Sequence, residues 1–493
     1  MQQFQVTFHL LNQQSDANQS ERYYRYAFHV DEPSACLHLT ADYSCLPDGK
    51  KVQTPFFLFD PKHQVRFMRA ANMAASGDVQ TLELSQQEAS KGGIPGIIPQ
   101  GDWLLIVFKR RMNVSFDLTV TLTISGTPSA HQEAESVRQL QKTPFSSAVL
   151  AEQPGWYCGE LHTHSNQSTG YTDIEEVVRV AEQEQLDFLA VTDHFTMAHW
   201  LALQEMHHDG RPLLMQSAEI SGDMGHANVH GLHTWINPLV DDNESLTPML
   251  NLPEGYSMNH VADEAHRQGG LFSINHPLSG IMGWRYRGFD LHKADLFEIY
   301  CSPEEDVTLQ NLSLWDRWLC DGYHLTGVAS SDSHHPTEPD IWKLGEHVTW
   351  IYAEKLSQQG LLDGLRRGHA YAASKGCHMT FTARCGEQTA MMGDTLSVPH
   401  GQKVQFHVTM ENVPAGNLFI VQDGTILDMR YFDGASRKED TFSLTDHNWK
   451  ENSYLRLEYY QVEGERPYFG YSNHSWREMQ FLSNPIWLKR SDD

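Results

Sequence analysis

The pattern of apolar residues changes at Trp156, from strand-like runs alone to strand-like runs that alternate with helical ones. The later strand-like runs are short and largely apolar, as in 187–192, 271–274 and 325–329. Between them, apolar residues recur every three or four positions, which is typical of a helix with one buried face. This alternation predicts parallel strands in a barrel or an open sheet, with its chemistry at the carboxyl ends of the strands.

The predicted helices of this middle region have legible boundaries. Thr172 and Glu175 resemble a capping box at the start of the first helix. Three glycines are predicted to end later helices: Gly269 as a C′ residue, Gly322 and Gly368. A stripe of large apolar residues marks the third helix and predicts plain core: Leu312, Trp315 and Leu319.

The two ends of the chain have the pattern of strands alone. Residues 116–124, for example, alternate apolar and polar side chains, which is the period of a half-buried strand. Strand periodicity returns after about residue 376, in 404–410, 418–421 and 454–460. The sequence therefore predicts four segments: an N-terminal β-sandwich at 1–128, a connector at 129–155, an α/β barrel at 156–376 and a C-terminal β-sandwich at 377–493.

Charge and cysteine usage exclude some functions. The formal net charge of −27 argues against nucleic acid as a partner, because phosphate contacts need clustered Lys and Arg. Seven scattered cysteines without a Cys-x-x-Cys pair predict reduced thiols. We expect neither a secretory signal nor a membrane span of about 18 apolar residues. The sequence thus predicts a cytoplasmic protein that binds a small molecule and no membrane, with an oligomer possible.

His162 and His164 are the first candidate metal ligands. They lie two residues apart after a predicted strand, so both imidazoles point to the same side and can reach one ion. A pair of surface histidines would look the same when considered alone. The metal interpretation gains support from the polar segments that follow.

Six polar segments occur in succession at or soon after the predicted strands. Imidazole and carboxylate ligands suit Zn²⁺, Mn²⁺ or Fe, and the absence of cysteine argues against a structural zinc site. Satisfied core histidines do not explain six such segments at one end of a βα array. Their candidate residues are His162 and His164, Asp193 and His194, Glu219, His226 and His230, Asn275 and His276, and Asp332 and His334.

These motifs resemble those of the PHP (polymerase and histidinol phosphatase) superfamily, in 162–164, 192–194, 275–277 and 331–334. Segments 225–228 and 269–277, and the helix around 314–316, are similar to the CehA/McbA-like metallohydrolase branch. The resemblance covers roughly the predicted barrel segment, and the flanks carry only weak motifs. It implies a multidomain α/β and β protein, in which a distorted, TIM-like (β/α)7 barrel is flanked by two β-sandwiches and holds two to three divalent metal ions.

The resemblance also implies a ligand set. It assigns His162, His164, Glu219 and Asp332 to a first ion. Glu219 would bridge to a second ion, which His226 and His276 also hold, and Asp173, His194 and His334 would hold a third. Two positions stay open, although Asp173 and His226 are preferred as ligands. Asp173 also suits a helix start, because the helix dipole favours acidic residues there, and His230 competes with His226.

The chemistry expected of such a centre needs no nucleophilic side chain. A water molecule shared by two cations loses a proton near neutral pH, and the cations neutralise charge that develops on the substrate. Cys301 is therefore expected to be a small buried residue, and Asp193 to orient a ligand imidazole. Arg285 and Arg287 could bind a phosphate or carboxylate, or belong to a solvated turn.

Three functions compete on the sequence alone. The first is a metal-dependent phosphoesterase that uses a metal-bridging hydroxide on a small phosphate ester. The second is a carbamate or carboxyl ester hydrolase of CehA/McbA type at the same ions. The third is a non-catalytic protein that binds a glycan or another ligand, since β-sandwiches often do so.

Overall fold

The computed structural model describes residues 1–10, 23–46, 54–62, 64–69, 79–108, 115–129, 148–206, 210–222, 224–236, 256–301, 305–337, 343–445, 449, 453–462 and 479–491. Most of the predicted connector at 129–155 lies outside these residues. The described chain consists mainly of β-sheet, with few helices. No helix within these ranges is both long and apolar enough to span a membrane.

The described residues of the N-terminal region contain eight strands in two antiparallel sheets. They are β1 (Gln2–Leu10), β2 (Tyr23–Val30), β3 (Cys36–Tyr43), β4 (Phe56–Phe59), β5 (Val65–Arg69), β6 (Val79–Ser85), β7 (Gly101–Phe108) and β8 (Phe116–Ser125). One sheet has the order β1-β8-β3-β6 and the other β2-β7-β4-β5. Both sheets contribute to one apolar core, with Leu39 and Leu122 from the first and Trp103 and Leu105 from the second. This arrangement is a sandwich, because each sheet buries one face against the other.

The middle region contains eleven strands and five helices among the described residues. The strands are β9 (Val149–Ala151), β10 (Gly155–Thr163), β11 (Phe188–Val191), β12 (Leu213–Gly222), β13 (Gly225–His230), β14 (Leu271–Ile274), β15 (Leu296–Cys301), β16 (Thr326–Ser330), β17 (His347–Ala353), β18 (Leu356–Ser357) and β19 (Ala370–Ser374). The helices are α1 (Ile174–Gln183), α2 (Ala198–Glu205), α3 (Tyr256–Arg267), α4 (Glu305–Cys320) and α5 (Gln358–Arg366).

The strands β10 to β16 follow one another in a single series. Neighbours pair in parallel except at β13, which is antiparallel to both β12 and β14. A parallel bridge between Thr163 and Ser333 joins the last residue of β10 to the segment after β16. The two ends of the series therefore meet, and the carboxyl ends of the parallel strands lie at one side.

Seven βα units are not confirmed. The described residues contain four α-helices between β10 and β16, because β12 and β13 form a hairpin and β14 leads to β15 through two 3-10 turns, Gly280–Met282 and Leu291–Lys293. The hairpin turns at Gly225, whose φ is +133°. A Cβ at this position would lie 2.8 Å from Cα of Trp284, so only glycine fits there.

The structure agrees with the predicted C-terminal ends of the helices but not with the predicted start of the first helix. Gly269, Gly322 and Gly368 have φ values of +79°, +92° and +73°, as predicted for residues that end helices. The predicted capping box is wrong, because α1 has Asp173 at its N-cap and no side-chain bond caps it. Trp315 is fully buried, which confirms the predicted core stripe of α4.

The C-terminal strands continue the sheet of the middle region through the pairing of β19 with β26. They are β20 (His378–Cys385), β21 (Gln388–Met391), β22 (Thr395–Pro399), β23 (Lys403–Gln422), β24 (Thr425–Thr445), β25 (Ser453–Gln461), β26 (Met479–Ser483) and β27 (Ile486–Ser491). The two strands predicted at 404–410 and 418–421 are one strand, β23. The pairing of β23 with β24 continues through the region between the two predicted strands, where Asn412 and Gly434 have φ values of +56° and +55°. The domain limits stay a prediction.

Both flanking regions contact the middle region. Phe57 of β4 packs edge-on against Phe195, the residue after His194, with ring centroids 5.2 Å apart. On the C-terminal side, the buried guanidinium of Arg456 binds Asp316 of α4, with Nε 2.7 Å from Oδ1. These contacts place the N-terminal sandwich beside the candidate site.

Candidate metal centre

The strand series brings the predicted ligands together. His162 and His164 come from the end of β10, and Glu219 and His226 come from the paired strands of the β12–β13 hairpin. The remaining candidates follow the strand ends: His194 after β11, His276 after β14, and Asp332 and His334 after β16. The topology thus collects side chains that are up to 172 positions apart in the sequence.

The carboxylate of Glu219 is the centre of this cluster. It is buried, and five imidazole nitrogens lie within 3.5 Å of its two oxygens. Oε2 faces Nε2 of His162 and His164 and Nδ1 of His194, at 3.5, 3.4 and 2.8 Å. Oε1 faces Nδ1 of His226 and Nε2 of His276, at 3.1 and 3.5 Å. Each oxygen therefore serves a different group of imidazoles, which is the arrangement that a bridging carboxylate requires.

The five imidazoles form a closed ring around this carboxylate. Successive ring centroids lie 4.4 to 5.9 Å apart, in the order His164, His194, His226, His276, His162 and back to His164. Asp332 supplies a second carboxylate on one side of the ring, where its Oδ1 lies 3.0 Å from Nε2 of His164 and 3.3 Å from Nε2 of His162. The four predicted ligands of the first ion therefore converge.

The residues predicted to bind the third ion come together only in part. His164, His194 and His334 have ligand atoms within 4.8 Å of one another. The carboxylate of Asp173 is exposed and joins no such group among the described residues. Its Oδ1 instead accepts hydrogen bonds from Nζ of Lys91 at 2.5 Å and from Nδ2 of Asn166 at 2.6 Å. Its predicted role as a ligand is therefore not supported by this geometry.

The two histidines of the 225–231 segment have different surroundings. Nδ1 of His226 bonds to Oε1 of Glu219 at 3.1 Å. Nδ1 of His230 bonds instead to the hydroxyl of Ser217 at 3.0 Å, and burial lowers the pKa of His230 to about 3. These contacts place His226 in the cluster and His230 outside it. The two histidines share a face of β13, but they lie four positions apart along the strand.

Glu298 is a functional candidate that the sequence interpretation missed. Its Oε1 lies 2.9 Å from Nδ1 of His162, and its Oε2 accepts a hydrogen bond from the backbone N–H of His276 at 2.8 Å. Carboxylates in this position fix the orientation of metal-binding imidazoles. The signal was present in the sequence, since Glu298 is the one charged residue of the buried strand β15.

Asp193, predicted to orient an imidazole, holds a turn instead. Its carboxylate accepts hydrogen bonds from the backbone N–H and the hydroxyl of Ser165 and from the hydroxyl of Ser168, at 2.9, 2.5 and 2.5 Å. Its Oδ1 lies 4.0 Å from Nδ1 of His164, beyond hydrogen-bond distance. Asp193 thus fixes the chain that leaves the cluster after His164.

The remaining candidates lie at the edge of the cluster. Arg285 and Arg287 are exposed, and the backbone N–H of Arg285 donates to the carbonyl of Met224 at 2.6 Å, beside the hairpin that carries His226. Cys301 is buried next to Glu298, and burial raises the pKa of its thiol well above the usual range. A neutral buried thiol agrees with the predicted structural role of Cys301.

The ionisation of the cluster follows from burial and charge. Burial opposes a charge on Glu219, but His194, His162 and His226 lower its pKa well below the usual range. Burial likewise opposes a charge on His162, yet Asp332, Glu298 and Glu219 raise its pKa well above the usual range. Burial together with the neighbouring His194 and His334 lowers the pKa of His164. Burial opposes a charge on Asp332 as well, but His162, His164 and His334 lower its pKa. The carboxylates of Glu219 and Asp332 thus stay ionised among imidazoles that cannot all be protonated, which leaves the site ready for a cation.

Two observations show that these residues fit a divalent ion. Oε2 of Glu219 and Oδ1 of Asp332 are buried, and neither accepts a hydrogen bond from the described residues. Buried carboxylate oxygens without such partners are costly unless a cation compensates them. In addition, His276 and Asp332 have φ values of +26° and +50°, an unfavourable conformation that clusters at functional sites.

Comparison with known proteins gives only a remote likeness. No protein-family model and no curated protein matches the chain. Among solved structures, the chain is similar to a two-domain protein from Bacteroides vulgatus that contains a predicted PHP-like metal-dependent phosphoesterase. The identity is 17%, the match covers 62% of this chain and 90% of the other, and the TM-score is 0.36. Because this likeness is so low, the functional proposal rests on the residues of the site.

Proposed function

We propose that the chain is a metal-dependent hydrolase of PHP type that cleaves a small phosphate ester. The observation that supports this most is the buried carboxylate of Glu219, which faces five imidazole nitrogens within 3.5 Å. Such a mixture of imidazole and carboxylate ligands suits Zn²⁺, Mn²⁺ or Fe. When bound, divalent ions supply an activated water and neutralise the charge that develops on the substrate.

The chain's own residues have separate tasks in this proposal. Glu219 and Asp332 provide the negative charge that attracts cations into a buried site. Glu298 holds the ring of His162, and Asp193 holds the turn after His164. Arg285 and Arg287 lie in the loop that follows His276, where cationic side chains favour an anionic ester.

A carbamate or carboxyl ester hydrolase is the second candidate. The side chains of Arg285 and Arg287 are exposed. A site whose arginines are exposed rather than buried also accommodates an uncharged ester. The two candidates differ in how strongly they depend on these arginines.

The test is a panel of phosphomonoesters, phosphodiesters, aryl acetates and aryl carbamates, assayed on protein loaded with Mn²⁺ or Zn²⁺. We expect the highest kcat/KM on a phosphate ester, a loss of at least about 100-fold in Glu219→Gln, and full activity in His260→Gln, which changes a histidine of α3 outside the cluster. Faster turnover of carbamates or acetates would favour the second candidate. No turnover of any ester by metal-loaded protein would refute both.

A further inference from the structure

Large apolar side chains are exposed at few positions of the described chain, and several of these positions are near candidate metal ligands. Seven such side chains are more than a third exposed: Met1, Val149, Tyr171, Leu278, Met282, Leu427 and Tyr431. Single exposed apolar residues are ordinary and need no explanation. Three of the seven, however, lie on segments whose backbone bonds to a candidate ligand: Tyr171, Leu278 and Met282, which we call the apolar rim.

Tyr171 is fixed next to a candidate ligand. Its backbone N–H donates to the carbonyl of His334 at 3.0 Å. Its ring stacks on the imidazole of His335, with centroids 3.8 Å apart and an angle of 14° between the planes. The side chain is nevertheless 41% exposed. A flat aromatic surface is therefore held beside the cluster by a backbone bond and a stacking contact.

Leu278 and Met282 lie on the loop that starts at the candidate ligand His276. Two consecutive turns shape this loop, since the N–H of Ser279 donates to the carbonyl of His276 and the N–H of Met282 donates to that of Ser279, both at 2.9 Å. The exposed fractions of Leu278 and Met282 are 37% and 39%. The loop then returns at Arg285 to the hairpin that carries His226. Both side chains thus stand on a segment bracketed by two candidate ligands.

The two parts of the rim lie on different sides of the cluster. His334, which Tyr171 contacts, neighbours His164, with ring centroids 4.5 Å apart. His276 neighbours His226 at 4.9 Å, on the side that faces the other oxygen of Glu219. The segments next to both flanks of the imidazole ring therefore carry exposed apolar side chains.

We propose that the substrate is an amphiphilic ester, whose alkyl or aryl group lies on the apolar rim while its charged group lies at the metal centre. This inference rests on the proposed function and narrows its substrate class. For an alkyl phosphate, the oxygen of water forms the new bond to phosphorus and the bond from phosphorus to the alkoxy oxygen breaks. The alcohol leaves with a proton from that water, and phosphate remains.

Binding of n-alkylphosphonates to the metal-loaded protein tests the proposal separately from catalysis, because their carbon–phosphorus bond is not hydrolysed. Across the series from ethyl to octyl, we expect the affinity to rise about two- to four-fold for each methylene that contacts the rim. The combined substitution Leu278→Asn and Met282→Gln should flatten this dependence, and Tyr171→Ser should weaken it. The matched control is Val149→Asn, which changes an equally exposed apolar residue on β9, near the opposite ends of the strands, and should leave the series unchanged.

The outcomes distinguish the amphiphilic substrate from the proposed hydrolase activity. An affinity that does not depend on chain length in the unsubstituted protein overturns the amphiphilic substrate. The same holds if Val149→Asn flattens the series as much as the rim substitutions do. A dependence on chain length without turnover of any ester would support the rim and refute the proposed hydrolase.

Discussion

Oε1 of Glu298 lies 2.9 Å from Nδ1 of His162, on the side of the imidazole that faces away from Glu219 and Asp332. Both side chains are buried, so the ring of His162 has a fixed orientation and presents Nε2 to the centre of the cluster. This pair converts a histidine of a strand end into a preorganised candidate ligand.

We therefore predict that Glu298→Gln weakens metal binding. A neutral amide stabilises the ligand imidazole less than a carboxylate does, and changes of this kind cost about 10- to 100-fold in metal affinity. Competition with a chromophoric chelator measures the effect. Glu176→Gln, which changes a partly exposed glutamate of α1 that pairs with Arg179, serves as the control. Equal affinities in both variants would show that Glu298 does not support the centre.

Asp193→Asn should destabilise the fold at the turn after His164. The carboxylate accepts three hydrogen bonds from Ser165 and Ser168, and an amide can accept them only in part. Because charge-assisted bonds of this kind contribute about 1.5–3 kcal/mol each, we expect a loss of about 3 kcal/mol in urea unfolding. Asp263→Asn, at a partly exposed ion pair with Lys293, should cost less than about 1 kcal/mol. Similar losses in the two variants would contradict this role.

Arg456→Met tests the connection between the middle and C-terminal regions. The guanidinium binds Asp316 of α4 and Glu458 of β25, and all three side chains are buried. Removing the cation leaves two buried carboxylates without a compensating positive charge, which costs about 3–5 kcal/mol in the free energy of unfolding. Adding Asp316→Leu and Glu458→Leu should restore most of the stability, as measured by urea unfolding. A single variant as stable as the parent would refute the structural role of this network.

Buried His347, which is not a candidate metal ligand, should make the stability of the fold depend on pH. Burial lowers its pKa from 6.5 to about 4 in the folded chain. The unfolded chain therefore binds a proton first as the pH falls, so this stabilising contribution is complete above pH 6.5 and is lost between pH 6.5 and 4. We expect the parent to lose about 2 kcal/mol more than His347→Gln between pH 7 and pH 4.5. Identical losses in urea unfolding at these two pH values would contradict the prediction.

The parts of the site that follow strand periodicity could be predicted from the sequence. His162 and His164 share a side because alternate residues of a strand do so, and Asp332 follows a strand that lies in the same series. Strand periodicity could not separate His226 from His230, because both are on one face of β13. The register does not separate them either, since His226 lies opposite Ser221 and His230 opposite Ser217, each two residues from Glu219. Only the side-chain contacts do so: Nδ1 of His226 lies 3.1 Å from Oε1 of Glu219, whereas Nδ1 of His230 bonds to the hydroxyl of Ser217.

Other features depend on contacts between distant segments. Lys91 belongs to the N-terminal region, and its ion pair with Asp173 could not be predicted from the sequence. The seven βα units are not confirmed, because in the described residues the hairpin at Gly225 and the turns after His276 stand where helices were expected. A resemblance in motifs does not report how strands are connected. The oligomeric state and the site's metal remain predictions.

The metal content of the folded protein tests the central claim most directly. Protein purified without chelator, supplied with Zn²⁺ or Mn²⁺ and freed of excess ions, should contain two or more metal ions per chain by elemental analysis. Glu219→Ala should lose most of this metal, while His260→Gln should retain it. Folded parent protein that takes up neither metal in stoichiometric amount would contradict the account, because the imidazoles around Glu219 would then hold no cation.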